Sequence, residues 1–407
     1  MDNMTILAPS NMTLNTATFA DSGFVTLAPL LPMNSQSLSF LHDLSEGLLK
    51  DPQYKAYPEL VALGFWLRKR NLLSLFEPLN QNPPSDLNTA YVITKPLGLV
   101  VHFTPANVDT MFVYSWVCSL LCGNNNIVRV ASNESELRSA LLELINQLFA
   151  QPQHREIAQR NGFVSYPKQS SLSAQLSLLA DARVIWGGDD SVNAIRNEAC
   201  KPRCRDISFA DRFSATVLDL SATSNPTELA KLATKLFKDA APYQQQACSS
   251  PRIVYYKGDE SQLHRLLDEI NKLTSQETSS ITRKNNQLVN LQMVMSADES
   301  ARVLMQQHIC AVSVARMTKQ LIDWHAGENV FYIRQIERYQ DLLLDDIGKL
   351  QTLSYWGVDK LELLKILSLP SISGIDRIVP VGQALDFSTD WDGYQLQTQL
   401  TRQVTIC

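Results

Sequence analysis

The chain has 407 residues, of which 45% are hydrophobic and 19% charged, and its formal net charge is −5 at pH 7. This composition supplies the apolar surface for large cores, and the length is typical of two or three globular domains. The acidic balance and the lack of any basic run longer than Arg68-Lys69-Arg70 disfavour binding to nucleic acids.

The longest apolar stretch, residues 108–122, contains Asp109 and several hydroxyl side chains. It is shorter than the roughly 20 residues that cross a bilayer, so it predicts a buried helix and no membrane span. The start of the chain lacks the basic end and compact apolar run of a signal peptide. We therefore expect a cytoplasmic protein.

The seven cysteines are odd in number and scattered, which does not suggest a disulfide framework, so we expect free thiols. Cys118 and Cys122 lie on the apolar stretch and are expected to be core thiols. Cys200 and Cys204 are also four residues apart, but no second cysteine pair follows and the six histidines are dispersed. We therefore expect no metal site.

Residues 1–36 show no clear period and are predicted to form an N-terminal segment, which is either a mobile tail or a segment that covers the domain. From 37 to 79, leucines recur with helical spacing, which predicts an amphipathic helical lead-in. The NPPSD stretch at 82–86 is predicted to break this pattern.

After the breaker, short apolar runs alternate with helical patterns. Predicted strands cover 97–103, 126–130, 163–166 and 182–186, and predicted helices cover 108–122, 134–150, 171–179 and 191–200. Such alternation implies parallel strands joined by right-handed crossovers. Residues 37–214 are thus predicted to form the lead-in and a doubly wound, Rossmann-like α/β domain, which binds ligands outside the carboxyl ends of its strands.

A second α/β domain is predicted from 215 to 370. Its predicted strands cover 215–220, 252–256 and 329–333, its predicted helices cover 226–241, 259–273 and 362–367, and residues 285–312 are of mixed character. The segment 371–407 has strand and turn character and is predicted to return to the interface between the domains.

Three segments at predicted strand ends carry chemically useful side chains. The first strand ends at Phe103, Pro105 stops it, and Asn107 follows at or near the N-cap of the next helix. An asparagine there normally caps backbone amides. Alternatively, its amide N–H stabilises negative charge that develops on an oxygen during a reaction.

In the second segment, Gly187-Gly188 joins a strand to a helix. Glycines let a phosphate approach closely and a helix N-terminus favours an anion, although glycines are also common in tight turns. Asp189 and Asp190 would repel a phosphate if they pointed inward, so we expect them to cap the helix.

In the third segment, Cys248 follows three glutamines and an alanine and precedes Ser249-Ser250-Pro251. Small polar neighbours are untypical of a core cysteine, and they make a thiolate less costly than an apolar core would. These residues alone leave open a reactive thiol and a partly buried inert thiol.

Five stretches form an ordered set, namely PANVD (105–109), CGNNNIVRVAS (122–132), WGGDD (186–190), QQQACSSPR (244–252) and IDRIVPVGQALDF…WDG (375–393). Their order and spacing resemble the aldehyde dehydrogenase superfamily. Within it they are most similar to the LuxC-type branch, the long-chain fatty acyl-CoA reductases of bacterial bioluminescence. The resemblance implies an aldehyde dehydrogenase-like α/β fold, with a doubly wound cofactor domain and a second α/β domain that carries the catalytic cysteine.

The resemblance also implies that Cys248 is the covalent nucleophile and that Asn107 is the oxyanion donor. In aldehyde-oxidising members, a glutamate activates the water that hydrolyses the thioester intermediate, whereas ISFADRF (207–213) places Ser208 at that position. Without a base there, the acyl group is expected to be reduced to an aldehyde. The cofactor contacts implied in this way come from Phe103, Thr104, Pro105, Arg129, Ser132, Gly187 and Gly188.

Members that bind NAD often carry a glutamate three residues after a lysine on the ribose strand, and here Ser132 follows Arg129 at that spacing. Ser132 removes the repulsion of a 2′-phosphate and Arg129 can pair with it, so NADPH is favoured over NADH. Alternatively, Arg129 only fixes the end of its strand.

The resemblance implies an acyl-CoA or an acylated protein as substrate and an acyl-protein synthetase as partner. A homo-oligomer is also expected. Two alternatives remain from the sequence, namely an NAD(P)-dependent aldehyde oxidiser and a non-catalytic subunit that carries acyl groups on the same fold.

Overall fold

The computed structural model describes residues 4–10, 23–79, 91–221, 223, 225–275, 280–370 and 372–406. The predicted breaker at 82–86 lies outside these ranges. The chain divides into two compact units, the first formed by 1–210 with 387–407 and the second by 211–386.

The first unit is built on β-strands from both ends of the chain. Its strands are β1 (Thr5–Ala8), β2 (Tyr91–Pro96), β3 (Leu99–Phe103), β4 (Asn125–Arg129), β5 (Asn161–Ser165), β6 (Ala182–Trp186) and β7 (Arg205–Phe209). Its helices are α1 (Gly23–Thr26), α2 (Ser35–Lys50), α3 (Pro58–Trp66), α4 (Lys69–Leu75), α5 (Met111–Leu121), α6 (Glu136–Phe149), α7 (Arg155–Ala158), α8 (Leu172–Leu179) and α9 (Asp189–Arg196).

The second unit follows directly. Its strands are β8 (Phe213–Asp219), β9 (Pro251–Lys257), β10 (Arg302–Gln306), β11 (Cys310–Ser313), β12 (Val330–Gln335), β13 (Leu350–Trp356) and β14 (Arg377–Pro380). Its helices are α10 (Pro226–Ala240), α11 (Glu260–Thr274), α12 (Ile281–Ala297), α13 (Lys319–Trp324) and α14 (Lys360–Leu367). The chain then returns to the first unit with β15 (Asp390–Trp391), β16 (Tyr394–Gln395), α15 (Leu396–Gln399) and β17 (Thr401–Ile406), and β17 pairs with β2.

The main sheet of the first unit has the strand order β1-β5-β4-β3-β6-β7, in which β3 to β7 are parallel and β1 is antiparallel to β5. Leu99 and Val101 of β3 pack into one core and Val100 into another, so both faces of the sheet are covered. The chain runs outward from β3 to β5 and resumes on the other side at β6. This reversal confirms the doubly wound prediction and places a topological switch point between β3 and β6.

The second sheet has the order β10-β11-β12-β9-β8-β13-β14, in which only β10 is antiparallel to its neighbour among the described pairs. Alternate residues of β9 again separate two cores, with Ile253 and Tyr255 in one and Val254 and Tyr256 in the other. The second region is therefore also an α/β unit with helices against its sheet, as the sequence predicts.

Some boundaries differ from the prediction. The segment 371–407 is divided, because contacts place 371–386 with the second unit and 387–407 with the first. Within the N-terminal segment, β1 pairs with β5 at the edge of the first sheet. The helix predicted at 191–200 is α9, which begins at Asp189 and ends at Arg196 with Asn197 as its C-cap.

The apolar stretch at 108–122 forms α5, in which Cys118 is buried, and Cys122 is the buried C-cap. Both are therefore core residues, as predicted. Within the described ranges, no helix is long and apolar enough to cross a membrane.

A buried carboxylate organises the turn that follows β14. Asp239 of α10 is fully buried and accepts hydrogen bonds from the backbone N–H groups of Gly382 (2.6 Å) and Ala384 (3.0 Å). Burial raises the pKa of Asp239 to about 6, although the two backbone donors oppose that shift. This carboxylate therefore links the helix after β8 to the IDRIVPVGQALDF stretch.

Asp239 should make stability depend on pH. Because its folded pKa lies above its ordinary value, the stabilisation is complete below that ordinary value and is lost as the pH rises through about 6. Relative to Asp239→Asn, the unfolding free energy of the wild type should fall by about 2–3 kcal/mol from acidic to neutral pH. Urea denaturation of both proteins across this range measures the difference, and a difference that is constant or rises with pH would contradict the assignment.

Candidate active site

The carboxyl ends of β3 and β4 are joined through one carbonyl group. The backbone N–H and the Oγ1 hydroxyl of Thr104 both donate to the carbonyl oxygen of Arg129, at 3.2 and 2.8 Å. Phe103, the last residue of β3, is buried, and Pro105 is half-buried. The structure thus brings together the predicted cofactor residues at the ends of these neighbouring strands.

The Arg129 side chain is held by the segment after β5. Its Nη2 donates to the carbonyl of Tyr166 at 3.2 Å, and its guanidinium carbon lies 5.5 Å from the centre of the Tyr166 ring. Burial lowers the pKa of Arg129. These contacts fix the end of β4, which is the alternative role considered for this residue, whereas Ser132 is exposed in the following loop.

Gly187 and Gly188 connect β6 to α9 at the switch point, next to the end of β3. Gly188 is the N-cap residue, with φ −66° and ψ 162°, and a Cβ atom built on it would meet nothing within 4 Å. Neither the backbone conformation nor packing therefore requires a glycine at 188. The expected capping by Asp189 and Asp190 is wrong, since both lie in the first turn of α9, where negative charge is favourable.

Asn107 does not occupy the N-cap of α5. The N-cap residue is Thr110, and Asn107 is exposed in the turn that precedes it. Asp109, in the same turn, accepts a hydrogen bond from Ser135 at 2.8 Å and pairs with Arg138 at 3.0 Å. The connection between β3 and α5 is therefore anchored to α6 through Asp109.

Cys248 lies in the second unit, in the connection between α10 and β9. The residue is half-buried, and its carbonyl oxygen accepts a hydrogen bond from the Ser214 hydroxyl at 2.6 Å. Because Ser214 belongs to β8, this bond fixes the Cys248 backbone against the sheet. The thiol thus belongs to a held turn rather than to the apolar core.

The residues before Cys248 have an unusual backbone. Tyr243, Gln244 and Gln245 are all in the left-handed region, with φ of 54°, 54° and 61°. This conformation costs roughly 1–2 kcal/mol for each non-glycine residue. The buried Gln245 side chain donates through Nε2 to the Pro251 carbonyl at 2.8 Å, which bridges the turn on both sides of Cys248.

A second left-handed run, at residues 327–329, supports the first. Gly327, Glu328 and Asn329 have φ of 81°, 61° and 60°, and the Glu328 N–H donates to the carbonyl of Gln244 at 2.8 Å. Gln287 of α12 in turn donates to the Glu328 carbonyl at 2.7 Å. The two strained runs are therefore joined by a backbone hydrogen bond.

A buried histidine holds the second run in place. His325 accepts a hydrogen bond from the Gly327 N–H at Nδ1 (3.1 Å) and donates from Nε2 to the Val330 carbonyl (2.9 Å). Burial lowers the pKa of His325 to about 3, so the ring is neutral at physiological pH. Sequence reasoning missed this support, and the single glycine of His-Ala-Gly-Glu-Asn (325–329) is its only sequence signal.

Gly327→Ala should destabilise the second unit and disturb the Cys248 turn. An added Cβ would lie 2.7 Å from the Gln244 carbonyl oxygen in a conformation that alanine rarely adopts. We expect a loss of roughly 2–4 kcal/mol in unfolding free energy. The matched control is Gly348→Ala in the same unit, where the nearest atom would be Ser373 Oγ at 3.6 Å. Equal effects of both substitutions in urea denaturation would refute the role of Gly327.

Known proteins support the fold and the family. The structure of aldehyde dehydrogenase 21 from Physcomitrella patens, in complex with succinate, aligns over 97% of this chain and 90% of its own, with TM-score 0.68 and 9% identity. For the glyceraldehyde-3-phosphate dehydrogenase GapN from Methanocaldococcus jannaschii, complexed with NADP, the shares are 96% and 92%, with TM-score 0.65 and 12% identity. The chain therefore has the aldehyde dehydrogenase fold.

The described residues contain no cluster of three or more histidine, cysteine or acidic side chains that could hold a metal.

Among curated proteins, a long-chain acyl-protein thioester reductase of Photorhabdus luminescens is 23% identical over 72% of this chain and 60% of its own length. Long-chain acyl-protein thioester reductase 2 of Photobacterium leiognathi is 29% identical over 45% and 37%. These two alignments span 37% and 60% of the relatives' lengths. Since the model of the family Acyl-CoA reductase (LuxC) matches residues 67–403, the chain belongs to that family.

Proposed function

We propose that the chain is an acyl-thioester reductase in which Cys248 accepts the acyl group. The observation that carries this proposal is the construction of the Cys248 turn, where consecutive left-handed residues are held by hydrogen bonds on both sides of a half-buried thiol. Strained backbone that surrounding contacts over-determine is concentrated at functional sites. The family membership gives this thiol its chemistry.

Four of the other described cysteines are less suited to nucleophilic attack. Burial raises the pKa of Cys118 and Cys122 well above the usual range, that of Cys310 to about 11 and that of Cys204 to about 12. These four thiols are therefore protonated at neutral pH, and a thiol is a far weaker nucleophile than a thiolate. The polar turn around Cys248 favours this residue as the attacking group.

In the proposed reaction, the Cys248 thiolate attacks the carbonyl carbon of an acyl thioester, and the carrier leaves as a thiolate. Asn107 is assigned to donate its amide N–H to the oxyanion, together with the Cys248 backbone N–H. Asn107 lies in the exposed turn after β3 rather than at the N-cap of α5. When bound, the reduced nicotinamide cofactor supplies the hydride that converts the acyl-cysteine to an aldehyde.

Ser208 favours reduction of the acyl-cysteine over its hydrolysis. This residue is half-buried on β7, where it pairs in register with Ile185 of β6, and it occupies the place proposed for the water-activating glutamate. A serine there cannot remove a proton from water at neutral pH. We therefore assign reduction, rather than hydrolysis to an acid, as the fate of the acyl-cysteine.

The proposed cofactor site lies at the switch point of the first sheet. The N-terminus of α9 and the space beside Gly188 suit a pyrophosphate, and Phe103, Thr104 and Pro105 end the neighbouring strand β3. NADPH is preferred over NADH in this proposal because Ser132 is exposed and uncharged. Arg129 also lines the edge, although Tyr166 holds part of its guanidinium.

The substrate is proposed to be a long-chain acyl group carried on coenzyme A or on a protein. The curated relatives are named long-chain acyl-protein thioester reductases, which favours an acylated protein as donor and an acyl-protein synthetase as partner. Both donors present the same thioester carbonyl to Cys248, so they differ only in the carrier that departs.

Acyl transfer to Cys248 can be tested directly with radiolabelled long-chain acyl-CoA. The wild type should acquire a label that hydroxylamine releases, and NADPH should discharge it as aldehyde, whereas Cys248→Ala should remain unlabelled. Cys310→Ala is the matched control, because this buried thiol should not react.

Equal labelling of Cys248→Ala would remove the nucleophile assignment. A label that NADPH does not discharge would favour an acyl-carrying subunit, and aldehyde oxidation without a thiol acceptor would favour the oxidiser.

Cofactor preference can be tested at Ser132. Ser132→Glu should weaken NADPH binding by about tenfold or more and leave NADH binding nearly unchanged, because a carboxylate repels the 2′-phosphate but not a ribose hydroxyl. Ser132→Gln has a similar shape without the charge and should change the ratio little. Titration of cofactor fluorescence gives both dissociation constants, and an equal loss for the two cofactors would refute this placement of Ser132.

A further inference from the structure

One buried guanidinium, that of Arg138 on α6, contacts two separate loops of the first unit. Its Nη1 donates to the Ala131 carbonyl at 2.9 Å and to Asn133 Oδ1 at 3.2 Å, both in the loop between β4 and α6. Its Nη2 lies 3.0 Å from Asp109 Oδ1, in the connection between β3 and α5. Because the Arg138 side chain is only 6% exposed, solvent ions screen this pair little.

The second carboxylate oxygen of Asp109 strengthens the same connection. Asp109 Oδ2 accepts a hydrogen bond from the Ser135 hydroxyl at 2.8 Å. Ser135 is the N-cap of α6, and its Oγ also accepts the Arg138 N–H at 3.2 Å. Asp109 is thus bound through both oxygens to the start of α6, and its neutralisation would leave the buried guanidinium without this counter-charge.

Each of the two loops carries a residue of the proposed site. Ser132, the proposed contact to the cofactor, stands between Ala131 and Asn133, the two residues that bind Nη1. Asn107, the proposed oxyanion donor, precedes Asp109 by two residues. The guanidinium therefore joins the backbone on both sides of the first residue to the turn that carries the second.

The turn that carries Asn107 is held at both of its ends. At the first end, Thr104 donates to the Arg129 carbonyl through its N–H (3.2 Å) and its hydroxyl (2.8 Å). At the second end, Asp109 is bound to α6. Both anchors attach the turn to the segment from β4 to α6, so its position depends on the segment that also contains Ser132.

We propose that Asp109 and Arg138 form a positioning pair, which places Asn107 for oxyanion stabilisation and Ser132 for cofactor binding. Neither member of the pair touches the acyl group or the cofactor in this scheme, and both act through the two loops. The inference rests on the proposed function, because that function gives Asn107 and Ser132 their roles. Position matters here because an oxyanion donor must lie about 2.7–3.1 Å from the oxygen that it stabilises.

The pair is tested first with Asp109→Asn, which keeps the size of the side chain and removes its charge. The rate constant for acylation of Cys248 by long-chain acyl-CoA should fall about tenfold, with little change in the acyl-CoA concentration for half-saturation. The dissociation constant for NADPH should rise about fivefold, although Asp109 lies outside the Ser132 loop. Asp43→Asn is the matched control, because Asp43 pairs with His154 at 2.8 Å elsewhere in the same unit and should change neither quantity.

A double-substitution cycle shows whether Asp109 acts through Asn107. Asn107→Ala should slow acylation, and adding Asp109→Asn to it should slow acylation no further, because the positioned group is then absent. Losses that multiply would overturn the positioning role. If Asn107→Ala does not slow acylation, the proposed function is contradicted at that residue. The NADPH constant of Asp109→Asn then decides the pair by itself, and an unchanged constant overturns it.

Arg138→Lys separates the geometry of the pair from its charge. Lysine keeps the cation but replaces the planar fork with a single ammonium, which cannot bind Asp109 and the Ala131 carbonyl as Nη2 and Nη1 do. Acylation and NADPH affinity should therefore both fall as in Asp109→Asn, and wild-type values for both would contradict the pair. Because this variant keeps a counter-charge for Asp109, it also replaces Asp109→Asn in the cycle if circular dichroism shows that Asp109→Asn does not fold.

Discussion

The hydrogen bond from the Glu328 N–H to the Gln244 carbonyl joins two short stretches of backbone that are each unfavourable alone. Five of their six residues are not glycine, and each costs free energy in the left-handed region. The stretches persist because Gln245, His325 and Gln287 satisfy the backbone groups around them. The position of Cys248 depends on this arrangement, since the turn has no helix or strand of its own to define it.

The sequence predicted the regular elements well where one physical signal dominated. The fully buried run Ala182–Trp186 was predicted with its observed bounds, because a parallel strand covered on both faces reads as continuous apolar sequence. The start of α10 was also predicted, because Pro226 suits the first helical position and Asn225 caps it through a bond to the Thr227 N–H. The turn after β6 was also located correctly, at Gly187-Gly188.

Elements with mixed signals were missed. β13 contains Gln351, Thr352 and Ser354, which are all buried. Its sequence therefore lacks the apolar run that is typical of a strand with neighbours on both sides. β7 begins with the charged residues Arg205 and Asp206, so the sequence lacks the continuous apolar run by which the other parallel strands were predicted. The roles of side chains around Cys248 were missed for another reason. Glutamine and glutamate seldom adopt the left-handed conformation, so their presence in the sequence does not predict it.

The outermost strands β1 and β10 share a design. Each is antiparallel to a neighbour within an otherwise parallel arrangement, and each shifts register, between Ile6 and Ala8 in β1 and between Val303 and Met305 in β10. An irregular last strand is a poor template for another extended chain, because its N–H and C=O groups no longer form an even row. Both sheets are thereby protected on one side against growth by strand addition, which is the usual first step of β-aggregation.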